Sequence, residues 1–383
     1  YKFCVIIPAR NECNVIENNL ISLKKQTYPK DKYDVYVIVE SKDDPTCKIT
    51  KKLGYNFYIR KDLVNKGTKG FAIREFIEDL KVKGINANYD AYMIFDADNL
   101  LDENFVSEMN KLFDKGYRVL TSYRNSKNYY HSWISAGYAL WFLHEAEYLN
   151  NPRMILGKSC AVSGTGFLIH CDIIKRNGGW KHYLLTEDIE FSVSEVIKGE
   201  TIGYCGSAML YDEQPCTFMQ SWNQRLRWAK GFYQVFARYG ISLFRCSFEK
   251  KKQSFSCYDM MMTVMPAVLV SITIVLINSF FFISGLLNPT LGHKILYTTF
   301  SAISSSFVLY YCILFSIGLI TTITEWQKIY CPEVKKVLYI FTFPLFMFTY
   351  IPIAIVALFK KVGWQPIVHT CAKSLQDIRK NSV

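Results

Sequence analysis

Three uncharged apolar stretches, residues 262–287, 300–323 and 337–359, fill most of the chain after Asp259. Each is long enough to cross the hydrocarbon core of a bilayer as a helix. Half of the 383 residues are hydrophobic while 20% are charged, so the apolar surplus is local. A soluble head followed by a membrane region is therefore expected. The composition divides the chain into a head at 1–215, interfacial amphipathic helices at 216–258, and a transmembrane region with a basic tail at 259–383.

The third stretch contains Pro344 and Pro352, and Lys360, Lys361, Lys373, Arg379 and Lys380 follow it. The expected location is a multi-pass membrane protein with its head in the cytoplasm. Three crossings would then place the basic tail outside, against the bias of Lys and Arg toward the cytoplasm. Either the third stretch re-enters or that bias is broken here.

The formal net charge of +12 suits an anionic partner. Lys250, Lys251 and Lys252 stand just before the first apolar stretch, which points to membrane lipids rather than nucleic acid, for which no recognition motif appears. The twelve cysteines include no Cys-x-x-Cys pair, so neither a zinc site nor a disulfide framework is expected, and the thiols read as reduced. The chain opens on Tyr1, inside a strand pattern with no signal peptide ahead of it, so an N-terminal piece, such as a membrane helix, is expected to be missing.

Over residues 3–120, short apolar runs at 3–7, 35–39, 57–60 and 91–95 alternate with amphipathic helical patterns. Such alternation implies parallel strands with crossover helices, hence an α/β sheet whose ligands bind beyond the strand C-termini. Polar clusters fall at those ends: residues 8–12, 40–44 and 96–98.

Asp96 and Asp98 flank Ala97 at a strand end. Carboxylates at i and i+2 on extended backbone point the same way and suit a hard divalent cation that keeps sites for substrate phosphates. A solvated turn would show the same pattern. Glu187, Asp188 and Glu190 open a helix, where they suit either capping or catalysis; Asp188 is the candidate general base. Gln224, Arg227 and Trp228 share one helical face. They suit either membrane anchoring or a cation for a leaving diphosphate beside an indole for a sugar ring.

Taken in order, Pro8-Ala-Arg-Asn-Glu12, Asp96-Ala-Asp98, Thr186-Glu-Asp188 and Gln224-x-x-Arg-Trp228 ahead of apolar stretches resemble the family 2 glycosyltransferases of the cellulose, chitin, hyaluronan and poly-N-acetylglucosamine synthase type. The resemblance implies a GT-A, Rossmann-like domain and an inverting single displacement. It implies that a UDP-sugar donor is used with Mg2+ or Mn2+. On it, Ala9 and Glu12 bound the nucleoside pocket, Lys69 of the 66–70 segment approaches the nucleotide, and Asp96 faces it. Asp98 chiefly holds the metal, Asp188 is the base, and Gln224, Arg227 and Trp228 close over diphosphate and acceptor. Glu40, with Asp43 and Asp44 nearby, stands where such enzymes carry an Asp for the uracil. Gly164-Thr-Gly166 stands where they line the acceptor channel. The implied acceptor is a growing polysaccharide, the alternative a lipid that receives one sugar. Three apolar stretches are few for an export channel unless missing N-terminal helices or a second subunit complete one, and a homo-oligomer or an export partner is the expected partner.

Overall fold

Apolar residues in unbroken runs suit strands that are covered on both faces. Phe3–Pro8 (β1) and Ala91–Ile94 (β4) are such strands, as is Tyr33–Val39 (β2) from Val37 onward, and with Asn56–Ile59 (β3) they pair in parallel. Helices Ile16–Lys24 (α1), Thr46–Lys52 (α2) and Lys69–Val82 (α3) make the crossovers. The computed structural model describes residues 1–62, 68–249, 252–288, 290, 292–363 and 369–380. Lys66, Gly67, Lys250 and Lys251 lie outside them.

Beyond β4 the parallel expectation fails. Leu100–Leu101 (β5), Phe105–Asp114 (α4), Val119–Ser126 (β6), Trp133–His144 (α5), Asn151–Ile155 (α6), Phe167–His170 (β7), Cys171–Arg176 (α7), Glu187–Ile197 (α8) and Ile202–Asp212 (β8) complete a mixed sheet of order β3-β2-β1-β4-β7-β6-β8-β5. Strand β7 runs antiparallel to β4 and β6, and β5 antiparallel to β8. Side chains of β1 alternate between two cores. Cys4 and Ile6 join α3 and α5, while Phe3, Val5 and Ile7 join α1 and α4.

Seven helices follow among the described residues: Phe218–Phe248 (α9), Ser254–Val264 (α10), Ala267–Leu287 (α11), Gly292–Thr324 (α12), Glu333–Phe348 (α13), Tyr350–Phe359 (α14) and Leu375–Lys380 (α15). The first apolar stretch is broken: α10 ends ahead of Pro266, because the residue before a proline avoids the helical region. Pro344 is tolerated inside α13, and Pro352 falls in the first turn of α14, where a missing N–H costs little. Two segments, Gly292–Thr324 and Glu333–Phe359, are long and apolar enough to cross a membrane.

Helix α9 is a seam rather than a helix lying free on a surface, since it packs on α8 of the head, on α10 and on α14. Arg225, Leu226, Ala229 and Val235 are buried there, while Ile241, Phe244 and Phe248 stay exposed. Cys246 and Cys257 pair between α9 and α10. This corrects the expectation of wholly reduced thiols: the two helices run side by side and bring the pair to a Cα separation of 6.0 Å. Residues 369–380 return to the head, with Leu375 and Ile378 packed on Leu100 and Tyr211. Arg379 pairs there with Asp102 at 2.9 Å and Glu103 at 3.0 Å.

Candidate active site

Strands β1, β2 and β4 end along one edge of the sheet, and a cavity of about 710 Å³ opens there and continues between α5, α9, α13 and α14. Ten of the residues singled out from the sequence line it, namely Ala9, Glu12, Glu40, Lys69, Asp96, Asp98, Asp188, Gln224, Arg227 and Trp228, whereas Asp43, Asp44, Gly166 and Glu190 do not.

At the sheet end the charges are paired with one another. Glu40 lies 3.1 Å from Arg10 and 3.7 Å from Arg60, so it is held by two arginines. Asp44 serves its own turn, accepting from the backbone N–H groups of Asn11 and Thr46 at 2.9 Å each. Lys69 opens α3 and donates to Asp96 Oδ1 at 2.6 Å and to the Gly164 carbonyl at 2.8 Å. Asp96 is 39% exposed at its side chain, whereas Asp98 is buried and accepts from the Glu213 N–H at 2.7 Å. Burial alone would raise the Asp98 pKa, but His369, Lys127 and that N–H outweigh it and hold it low. His369 Nδ1 sits 3.1 Å from both Glu12 oxygens. Burial pulls its pKa down, yet Asp98 and Glu12 lift it to about 9.

The first turn of α8 brings Asp188 to the middle of the cavity. Helix α9 can approach that turn because residue 231 is glycine: a Cβ there would lie 2.5 Å from the Thr186 side chain. Burial raises the Asp188 pKa, against the Ile189 N–H, Lys69 and Arg124. Glu187 rises to about 7 through burial and the charge of Asp188. Gly164 adopts φ +76, and a Cβ there would lie 3.7 Å from Asp188 Oδ2. This turn therefore runs along the edge of the candidate base. Glu190 goes elsewhere: it is fully buried, accepts from the Tyr183 and Leu184 N–H groups, and pairs with Arg238 at 2.8 Å.

The far end is aromatic. Trp228 meets Tyr138 edge-on at 5.7 Å and Phe142 at 6.3 Å. Phe346, Met347 and Tyr350 close the wall. Gln224 Oε1 and Arg227 Nε are buried without a hydrogen-bond partner.

The profile of the glycosyltransferase like family 2 matches residues 2–231, more than half of the chain. The chain belongs to this family. Its curated relatives include a probable glycosyltransferase, YdaM, of Bacillus subtilis, 25% identical over 64% of this chain and 58% of its own length. A beta-monoglucosyldiacylglycerol synthase of Synechocystis is 23% identical, over 62% and 49%. A poly-beta-1,6-N-acetyl-D-glucosamine synthase of Staphylococcus aureus is 25% identical, over 61% and 55%. The chain thus spans about half the length of the curated relatives it matches. In fold it is similar to the mannosyltransferase PcManGT from Pyrobaculum calidifontis, solved with GDP-Man and Mn2+, at a TM-score of 0.52 and 15% identity, covering 94% of this chain and 88% of the other. The mixed sheet followed by helices is the GT-A form of this glycosyltransferase family.

Sequence reasoning missed several residues that this glycosyltransferase places in the cavity: Arg124, Glu145, Arg153, Asp212, Glu213, Arg225 and His369. Asp212 and Glu213 carried a usable signal, an acidic pair ending an apolar strand just as Asp96 and Asp98 follow β4. Arg124 donates from Nε to Asp212 at 2.6 Å, with its guanidinium 3.8 Å from the centre of the Phe142 ring. Glu145 opens the π-helical turn Glu145–Asn150 after α5, and burial raises its pKa. Nothing local in the sequence marks Arg124 or His369.

Proposed function

We propose that this glycosyltransferase moves a sugar, with inversion, from a UDP-sugar to a polysaccharide or glycolipid acceptor at a membrane, with Asp188 as the general base. The supporting observation is Asp188 itself. It stands between a charged end and an aromatic end of one cavity, and among the described residues its carboxylate is held by backbone N–H groups of its own turn and by no other side chain. A buried carboxylate with a raised pKa is a stronger proton acceptor than one in water. In the reaction the acceptor oxygen attacks the anomeric carbon, Asp188 takes the hydroxyl proton, and the bond to the diphosphate breaks with its electron pair leaving on UDP. Negative charge gathers on that leaving group. Arg227, whose Nε has no partner in the cavity, supplies a donor and a positive charge there.

The residues also fit a hard divalent cation, Mg2+ or Mn2+. Asp98 is a buried carboxylate held low in pKa, with Asp96 on the same turn. Among the described residues no three acidic, histidine or cysteine side chains could hold an ion unaided. Asp98 and Asp96 would hold the ion, which when bound supplies charge for the diphosphate. The similar mannosyltransferase, solved with a nucleotide sugar and Mn2+, gives the reading further support. The catalytic half is read as cytoplasmic, with helices of the apolar region in a lipid bilayer.

The test is incubation of the full chain, in its membranes, with a panel of UDP-sugars and GDP-mannose, with and without chelator, followed by size and anomeric analysis of the product. The expected result is chelator-sensitive transfer from one UDP-sugar with inverted configuration. Retained configuration, or no transfer from any donor, overturns the reading.

A further inference from the structure

Arg225 differs from three other arginines that line the cavity, although Arg227 two residues on likewise has no carboxylate paired with it among the described residues. Arg60 faces Glu40 and Glu75, Arg124 faces Asp212, and Arg153 faces Asp259. Arg225 is wholly buried, and among the described residues no carboxylate pairs with it. Its Nη1 donates to the Phe346 carbonyl at 3.1 Å. The guanidinium lies 4.4 Å from the ring centre of Phe346, 5.5 Å from Tyr350 and 5.8 Å from Tyr138. Nε and Nη2 are buried and meet no partner in full hydrogen-bond geometry, and the Tyr138 phenol bonds only loosely to the guanidinium. The groups that help to hold its charge are the Tyr138 and Tyr350 phenols, and burial works against them.

A carbonyl and three ring faces return only part of what a guanidinium loses on leaving water. The two unmet donors are also not scattered. Nε and Nη2 form one edge of the planar group, and that edge presents two parallel N–H bonds, the fork that grips two oxygens of a single oxyanion. A neutral sugar hydroxyl offers one oxygen and no charge. A phosphate offers both.

The position decides the source. Phe346 and Tyr350, whose rings lie beside Arg225, belong to Glu333–Phe359, one of two segments among the described residues that are apolar enough to cross a membrane. Met347 and Tyr350 of the same segment line the cavity beside it. Arg227, by contrast, lies near enough to Glu187 of the α8 turn for its charge to act there. A ligand whose anion reaches Arg225 thus has apolar helix beside it.

From this we infer that Arg225 is the recognition site for a lipid phosphate, the anionic headgroup of the acceptor, seated at the membrane-side end of the catalytic cavity. The inference rests on the glycosyl-transfer reading of that cavity and narrows its acceptor to a phosphate-bearing lipid.

The experiment measures binding to the full chain in neutral phosphatidylcholine nanodiscs with four probes: monododecyl phosphate, dodecanol, inorganic phosphate and a glucuronate-containing oligosaccharide. The expected result is that monododecyl phosphate binds at least about 10-fold more tightly than each of the others, the scale of a charge-assisted hydrogen-bonded pair. Arg225→Gln should abolish that preference. Arg225→Lys, which keeps the charge but not the fork, should retain part of it, and it serves alone if the glutamine variant fails to fold. UDP affinity and thermal stability are read on the same samples. Equal binding of dodecanol overturns the phosphate, equal binding of inorganic phosphate overturns the lipid, and preference for the oligosaccharide replaces it with a glycan. A preference that survives in a folded Arg225→Gln protein removes Arg225 from the site. Any of these results alongside normal transfer from a UDP-sugar overturns this inference alone. Absence of transfer from every donor, with the lipid preference intact, overturns only the proposed function.

Discussion

The two ends of the cavity treat charge in opposite ways. At the sheet end Arg10, Arg60, Lys69 and Arg124 each face a carboxylate. At the helical end Gln224, Arg225 and Arg227 keep buried polar atoms without partners. A buried pair that loses one member leaves the other charge stranded, so changes at the first end should harm the fold. An open donor costs the free protein already and is met only by a ligand, so changes at the second end should harm binding.

The largest effect expected is at the point between the two ends. Asp188→Asn should lower the transfer rate by about 10²–10⁴-fold while UDP affinity stays nearly the same, as for loss of a positioned base. Calorimetry with UDP and a rate assay on one preparation decide it, and normal turnover removes Asp188 from the base role. Next is Arg124→Met, which strands Asp212 in the interior and should lower unfolding stability by about 3–5 kcal/mol in a denaturant titration. A stable variant would show that the sheet end does not depend on its own pairing. Smaller still, Arg227→Ala should weaken UDP binding and slow donor hydrolysis by about 10–150-fold, the scale of a charged hydrogen bond, with little change in stability. Trp228→Ala should keep UDP affinity and hydrolysis but lose transfer to the acceptor. Matching losses in all three assays together with lowered stability would make both residues anchors of α9 and erase the distinction.

The smallest expected effect is on pH dependence. A base works only when deprotonated, and burial raises the Asp188 pKa. The acid limb of kcat/KM should therefore lie above the ordinary carboxylate range. Glu187, held up to about 7 by burial and the Asp188 charge, is still neutral where Asp188 titrates, so Glu187→Gln should leave that limb in place, read from a rate profile. The stability sign runs the other way. The folded Glu187 pKa is raised to about 7, so the unfolded chain releases its proton first and stability declines as pH rises from the ordinary range toward 7. Glu187→Gln should flatten that decline.

How far the sequence reveals these features depends on how local each one is. Strands β1, β2 and β4 are apolar runs that end in polar clusters, so both the sheet edge and Asp96, Asp98 and Glu12 can be read along the chain. Strand β8 hides its pattern behind Gly203 and Gly206, and the register of β6 against it shifts between Ser122 and Tyr123. Helix α5 is covered almost all round and shows no amphipathic stripe. Asp188 is legible because its neighbours in the chain share its turn. His369 is not, because its partner Glu12 lies 357 residues away. Arg225 sits in the middle of a recognisable motif, but its unmatched charge appears only once α13 and α14 close around it.

The returning tail has a consequence for counting. Glu213 accepts from the Thr370 and Cys371 N–H groups at 3.0 and 2.9 Å, and Asn18 donates to the Ala372 carbonyl at 2.9 Å. A chain that leaves the head at α9 and touches it again at residue 370 has ended on the side from which it departed. Under the membrane reading proposed above, the number of bilayer crossings between those points would be even, and of three apolar stretches at least one would not cross. On that reading parity also removes the conflict with the basic tail, since Lys373, Arg379 and Lys380 would share the compartment of Asp188 whichever stretch stays behind. A cysteine at Ser374, in a background cleared of other accessible thiols, should react with impermeant reagents from the catalytic side only. Reaction from the opposite side would make the count odd and detach the tail from the head in the membrane.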